Sequence, residues 1–240
     1  MKLSKQISNW IKQQVKKAAK KGVVVGLSGG IDSALTAVLA KKALGDYVLG
    51  LILPCASNPR DEKMTRKLAK KFDIKLKKID LTDIYKRFEK VYPNAGYLAK
   101  ANLKPRLRMV ALYYLANSLD YLVAGTGNKS ELMIGYFTKY GDGGCDILPL
   151  GDLLKTEVRK LARELEIPDE IIKRAPTAGL WDGQTDEGEI GMSYTDLDRC
   201  LRAIEMKRLG EVKEEVLMRT RLLIRNSRHK RNAIPIFKKK

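Results

Sequence analysis

Val23-Val-Val-Gly-Leu27 is a short apolar, β-branched run, and Ser28-Gly-Gly-Ile-Asp-Ser33 carries it straight into a helical pattern that extends from about Ile31 to Leu44. The first segment reads as a strand and the last as an amphipathic helix. Lacking a Cβ, Gly29 and Gly30 admit dihedrals and close approaches that turn backbone N–H groups toward an anion. Ser28 and Ser33 add hydroxyl donors, and the helix N-terminus contributes about half a positive charge. Together these features describe a cradle sized for pyrophosphate. The segment is neither GxxxxGK[ST] nor GxGxxG, which excludes two common phosphate loops. Asp32 narrows the reading. A carboxylate about 4 Å from a phosphate oxygen is repelled by about 4 kcal/mol at an effective dielectric near 20, unless a cation stands between them. Mg²⁺, a hard ion with oxygen ligands, is such a cation. The blander alternative is that the glycines make a turn and Asp32 complements the helix dipole.

On either side of this loop, apolar runs alternate with helical patterns. Tyr47–Leu53 precedes a helix opened by Asn58 as N-cap with Pro59 at its first position. A strand near Ile74–Ile79 leads to helical stretches through Leu119, and Tyr121–Ala124 forms another apolar run. This alternation predicts an α/β fold with a doubly wound, mostly parallel sheet flanked by helices. Ligands of such sheets bind at the carboxyl ends of strands where the strand order reverses, which directs attention to the segments just after Leu27 and Ala124. Beyond Gly125 come a glycine-rich loop at Tyr140–Asp146, a helix at Leu153–Leu165 and a second glycine-spaced stretch at 178–192. Two capped helices, Tyr194–Lys207 and Glu211–Arg225, close the chain before a basic tail. With no repeat or linker, the expectation is one domain over 1–240: a basic amphipathic helix at 1–21, an α/β core at 22–192, and C-terminal helices with a tail at 193–240.

The 240 residues carry 47 Lys and Arg against 28 Asp and Glu, a net charge of +19. Seven lysines fall in residues 1–21 and seven basic residues in 225–240, with no acid in either segment, so the body is only modestly basic. Leu3, Ile7, Ile11 and Val15 recur at i, i+4 and give the first helix one apolar stripe with its lysines in water. The location of the charge tempers the nucleic-acid reading it invites, disfavours that partner, and leaves open a funnel for an anionic ligand, which a polyphosphate would satisfy as well as RNA. Cys55, Cys145 and Cys200 are odd in number and dispersed, which fits a reducing, cytoplasmic setting rather than a disulfide framework or a cysteine zinc site. No run approaches the roughly 18 apolar residues of a membrane span.

The Ser28–Ser33 string resembles the SGGxDS loop of the adenine nucleotide alpha-hydrolase-like superfamily, whose members split ATP into AMP and pyrophosphate while adenylating a substrate. Further matches are Gly125-Thr-Gly-Asn-Lys-Ser-Glu131, Tyr136-Phe-Thr-Lys-Tyr-Gly-Asp-Gly-Gly144, Pro176-Thr-Ala-Gly-Leu-Trp181 and Gln184-Thr-Asp-Glu-Gly188. These are similar to ammonia-dependent NAD synthetase, in that order along most of the chain. The resemblance implies a carbon–nitrogen ligase that adenylates the pyridine carboxylate of deamido-NAD and displaces AMP with ammonia to give NAD. It implies Mg²⁺ held by Asp32 and Glu131, which are also the catalytic pair. ATP contacts would come from Gly26, Leu27, Ser28, Gly29, Gly30, Ile31, Asp32, Ser33, Thr126, Lys155 and Thr177. Deamido-NAD contacts would come from Arg106, Lys139, Asp146, His229 and Lys230. A homodimer is expected, with the helix near Leu107–Leu119 as its interface.

Read without the resemblance, several of these residues keep a second meaning. Asn128-Lys-Ser-Glu131 is equally a capping box, with Glu131 reaching back to the N-cap amide. Lys155 is equally a solvated lysine opening a helix, and His229, the only histidine, a solvated residue in the basic tail. No histidine accompanies a Ser or Cys nucleophile in the core, so covalent enzyme catalysis is not expected. Free ammonia is the expected nitrogen donor, because the synthetase pattern leaves no room for an amidase domain. The loops at 140–146 and 178–192 are candidate lids. Two rivals remain: a tRNA-modifying ATP pyrophosphatase of the same superfamily, disfavoured by the missing CxxC pair, and a nucleotide- or RNA-binding module without chemistry, which has no use for two acids at a triphosphate.

Overall fold

The computed structural model describes residues 2–56, 60–181 and 183–239, together with the backbone but not the side chain of Arg60. The proposed cap at Asn58-Pro59 lies outside the described residues. Four strands, β1 (Gly22–Gly26), β2 (Val48–Ile52), β3 (Lys75–Lys78) and β4 (Tyr121–Ala124), form one sheet in the order β3-β2-β1-β4. Every pairing is parallel, with Val24 opposite both Leu49 and Val123. The chain runs outward from β1 through β2 to β3 and then returns to place β4 on the free side of β1. The reversal therefore falls between β1 and β4, whose carboxyl ends lead into Leu27 and Gly125.

Helices cover both faces, as a parallel sheet requires. One core holds Ile7, Ile11 and Val15 of α1 (Leu3–Lys17), most of α2 (Ile31–Leu44), Leu68 of α3 (Arg60–Phe72) and the sheet residues Val23 and Val25. The opposite core packs Val24, Leu51 and Val123 against Tyr85 of α4 (Thr82–Val91) and Met109, Leu112 and Ala116 of α5 (Tyr97–Leu119). At the sheet edge, β3 sets Lys75, Lys77 and Lys78 in solvent, charges that discourage pairing with another strand.

Two expectations need correcting. The helix after the glycine loop is not amphipathic: α2 is buried on nearly every side from Ser33 to Ala40, because α1 seals the face that a surface helix would leave wet. In α1 the docked stripe is Ile7, Ile11 and Val15, whereas Leu3 is 40% exposed.

Past β4 the chain forms α6 (Lys129–Ile134), α7 (Lys155–Glu164), α8 (Asp169–Ile172) and α9 (Asp186–Ile190). It ends in α10 (Tyr194–Glu205), a 3₁₀ turn, α11 (Glu214–Asn226) and α12 (Arg228–Arg231). Ser193 caps α10 as expected, its side chain accepting from the Asp196 N–H at 3.1 Å. The last long helix starts at Glu214, three residues later than its charge pattern suggested, and its N-cap Lys213 makes no side-chain cap. A third core joins Ile134 and Leu154 to Ile190, Tyr194, Leu197 and Leu201, so the C-terminal helices rest on the segment after β4.

Candidate active site

A cavity of about 830 Å³ opens at the sheet's reversal point, with Ser28, Gly30, Ile31, Asp32 and Ser33 on one wall and Thr126 and Glu131 on another. Its size lies within the range of small-molecule sites. The loop entering α2 is held by its own serines. Ser33 Oγ donates to the Gly30 carbonyl at 2.9 Å, accepts the Ser28 N–H at 3.2 Å and lies 3.1 Å from Ser28 Oγ. Gly29 has φ +75°, and a Cβ there would sit 2.9 Å from the Asp61 carbonyl oxygen. The N-cap of α2 is Gly30, which offers no side-chain acceptor, so the N–H groups of the first turn remain available to an anion.

Below the cradle, three charged side chains from three helices converge. Asp32 comes from the first turn of α2, Glu131 from α6 and Lys155 from the first position of α7. The Lys155 Nζ donates to Asp32 Oδ2 at 2.6 Å and to Glu131 Oε1 at 3.0 Å, and it lies 4.8 Å from the Tyr194 ring centroid. Lys155 is 1% exposed, which overturns its reading as a solvated lysine. Buried Asn128 ties the group together by donating from Nδ2 to Asp32 Oδ1 at 2.9 Å and accepting the Glu131 N–H at 3.0 Å. The capping-box meaning of Glu131 is present, Oε2 accepting the Asn128 N–H at 3.2 Å, while its other oxygen, Oε1, faces the lysine.

Burial pushes Glu131 up to about 7, against the attraction of Lys155 and with the repulsion of Asp32 and Asp186. For Lys155 burial opposes the charge, yet Asp32 and Glu131 hold its pKa above that of an ordinary lysine. Asp186 is also raised by burial. The Tyr194 hydroxyl donates to Asp186 Oδ2 at 3.1 Å and lies 3.4 Å from Glu131 Oε1, while the Tyr136 hydroxyl sits between Asp186 Oδ1 and Glu189. Sequence reading assigned no role to Asp186, Tyr136 or Tyr194. Asp186 and Tyr136 did lie within matched strings, Gln184–Gly188 and Tyr136–Gly144, whereas Tyr194 carried no signal.

The backbone of Lys155 is anchored from behind. Its N–H donates to Ser130 Oγ at 2.9 Å, Ser130 donates to Asp198 of α10, and Asp198 also accepts the Thr156 N–H at 2.8 Å. Two carboxylates that already meet on one nitrogen fit a single small cation with hard-oxygen preference. Among the described residues no cluster of three or more His, Cys, Asp or Glu side chains forms a metal site, so phosphate and water must complete the coordination of any ion held here.

Of the remaining candidates, Gly26, Leu27 and Thr177 line the cavity, and so does Lys230, whose Nζ donates to the Gly135 and Phe137 carbonyls at 3.1 and 3.0 Å. Arg106, Lys139 and His229 form a connected group outside its wall, with Arg106 Nε donating to the Lys139 carbonyl at 3.3 Å and Lys139 Nζ to the His229 carbonyl at 2.8 Å. Asp146 stands apart. Its two carboxylate oxygens accept the Tyr113 hydroxyl at 3.0 Å and the Val123 N–H at 2.7 Å, pinning β4 to α5. Cys55, Cys145 and Cys200 form no disulfide, and no described helix is long and apolar enough to cross a membrane.

Fold and site together define a class: an α/β protein whose glycine loop opens a buried helix at the carboxyl end of a central parallel strand, beside a paired carboxylate cluster. Comparison with known proteins resolves the class. A family model described as NAD synthase matches residues 3–234, and the chain belongs to that family. The NH(3)-dependent NAD(+) synthetase of Carboxydothermus hydrogenoformans is 47% identical over 95% of this chain and 93% of its own. The solved NMN synthetase of Francisella tularensis superposes with a TM-score of 0.90 at 36% identity, covering 98% of this chain and 96% of that one. An NH3-dependent NAD synthetase from Campylobacter jejuni, in complex with nitrate ion, superposes with a TM-score of 0.86 at 31% identity over 98% and 97% of the two chains.

Proposed function

We infer that the chain is an ATP-dependent ligase that amidates deamido-NAD with ammonia to form NAD. The observation carrying this reading is the convergence, in one cavity, of the Ser28–Ser33 cradle with the Asp32, Glu131 and Lys155 cluster. A carboxylate is a poor acylating agent because oxide would have to leave. Its oxygen attacks the α-phosphorus of ATP, the bond to pyrophosphate breaks, and an acyl adenylate results. Ammonia then adds to the acyl carbon, AMP leaves with the former carboxylate oxygen, and the nitrogen sheds a proton to water. The first-turn amides of α2 and the serine hydroxyls bind the departing pyrophosphate, while Lys155 adds a mobile positive charge. Asp32 and Glu131 would hold Mg²⁺, which neutralises charge building on the phosphates. Thr126 and Thr177 border the nucleotide side; the dinucleotide acid is assigned to Lys230 in the cavity wall, to the connected Arg106, Lys139 and His229 beyond it, and to Asp146. Positioning and electrostatics carry the rate, so no protein base is required.

The same reading treats residues 1–240 as a single cytoplasmic unit and pairs two copies through α5, where Val110 is 68% and Tyr114 71% exposed. The segments 140–146 and 178–192 close over bound ligands. Purified protein given ATP, Mg²⁺, ammonium and deamido-NAD forms NAD, AMP and pyrophosphate in equal amounts; ADP and phosphate as products overturn adenylation. Likeness to an NMN synthetase favours a second reading, in which the acid substrate is the mononucleotide. A parallel reaction with nicotinate mononucleotide decides it, through the ratio of kcat/KM for the two acids.

A further inference from the structure

We propose that Lys155 acts in the unliganded protein as an internal cation in the place where a divalent metal joins Asp32 and Glu131, so that metal enters only together with a nucleotide whose phosphates draw the ammonium away. This rests on the ATP-dependent reading above and goes beyond it, because it fixes which form of the metal the site accepts. The Nζ takes one oxygen from each acid, at 2.6 and 3.0 Å. Mg²⁺ demands oxygens at about 2.0–2.1 Å, so both acids must close on the ion, and no room remains for the nitrogen between them. Ammonium and metal are alternatives, never neighbours on the same two oxygens.

The lysine has the means to move. Its backbone is fixed by Ser130, itself hydrogen-bonded to Asp198, while its long side chain borders the cavity that the cradle also lines. Leaving the acids without a new partner would strand a buried charge, which costs heavily. A phosphate chain on the cradle supplies that partner, and metal then replaces the ammonium between the acids. Free metal has no such help. If the lysine-free pair makes up about 0.1–10% of the unliganded ensemble, apparent affinity for metal alone falls by about 10- to 1000-fold.

The test is titration of Mn²⁺, followed by the electron paramagnetic resonance of the free ion, into the full-length wild type and into Lys155→Met and Lys155→Gln. The glutamine variant keeps a neutral donor between the acids should the methionine variant fail to fold. Each titration is run with and without a non-hydrolysable ATP analogue. The wild type is expected to bind one Mn²⁺ tightly only with the analogue. Both variants are expected to bind Mn²⁺ alone at least about tenfold more tightly than wild type does, to lose that gain on adding Asp32→Asn, and to melt higher when Mn²⁺ is added. The analogue must strengthen Mn²⁺ binding less in the variants than in wild type, since no lysine has to be displaced. Equal affinity of wild type and both variants for Mn²⁺ alone would overturn the proposal while leaving the product assay untouched. No Mn²⁺ binding by any form, even with the analogue, overturns both the proposal and the assignment of metal to this pair.

Discussion

Replacing Glu131 with glutamine separates the two tasks of one side chain. Glutamine keeps an oxygen to accept the Asn128 N–H, so the cap of α6 survives, but the negative charge facing Lys155 is gone. A carboxyl that titrates near 7 in the fold and near 4.5 in the open chain binds its proton more tightly when folded. Its contribution is fully present below the unfolded pKa and is lost as pH rises from about 4.5 through about 7. The gap between those values corresponds to about 3 kcal/mol. Urea unfolding in metal-free buffer at several pH values between 4 and 8 reads it directly. Relative to wild type, Glu131→Gln should gain about 3 kcal/mol across that range, or about 1 M in urea midpoint at an m-value near 2.5 kcal/mol/M. Turnover in the same variant should fall by at least about 100-fold, because one of the two carboxylates assigned to hold the charge-balancing cation is missing. Stability profiles that stay parallel from pH 4 to 8 would show that ionising Glu131 costs the fold nothing and would refute the account of its burial.

Gly29→Ala forces an L-residue to φ +75° with its Cβ 2.9 Å from the Asp61 carbonyl, so it should lower stability by about 1–2 kcal/mol and raise KM for ATP, checked by melting and initial rates. Asp146→Ala deprives the buried Val123 N–H of its acceptor and should cost about 1–3 kcal/mol in denaturant unfolding. His229→Ala should raise KM for the dinucleotide acid with little change in kcat; an unchanged KM rejects its binding role. Tyr114→Glu places a charge on the exposed face of α5 and should convert a dimer to monomer in size-exclusion chromatography with light scattering.

What the sequence made legible was local. The run from Val23 to Ser33 announced strand, cradle and helix within eleven residues, because β-branched residues, glycines and a helix dipole act on their immediate neighbours. Asn128 and Glu131 likewise announced a capping box three residues apart. The burial of Lys155 was not legible, since Lys-Thr-Glu-Val-Arg-Lys160 looks like a wet helix start. Its fate is set by Asp32, 123 residues away in the chain, and by the Tyr194 ring. Separation along the chain likewise hid Tyr194 as part of the site. Helix α2 misled for a related reason: its pattern cannot reveal that α1 comes back to cover it.

The link from Asp198 through Ser130 to the first residue of α7 makes the end of the chain a party to events at its beginning. A protein cut before α10 would retain all four strands and the serine cradle, yet Ser130 and the Thr156 N–H would lose Asp198, their partner behind the start of α7. Engineers shortening or fusing this polypeptide at its C-terminus should treat Asp198, which does not line the cavity, as a part they cannot discard.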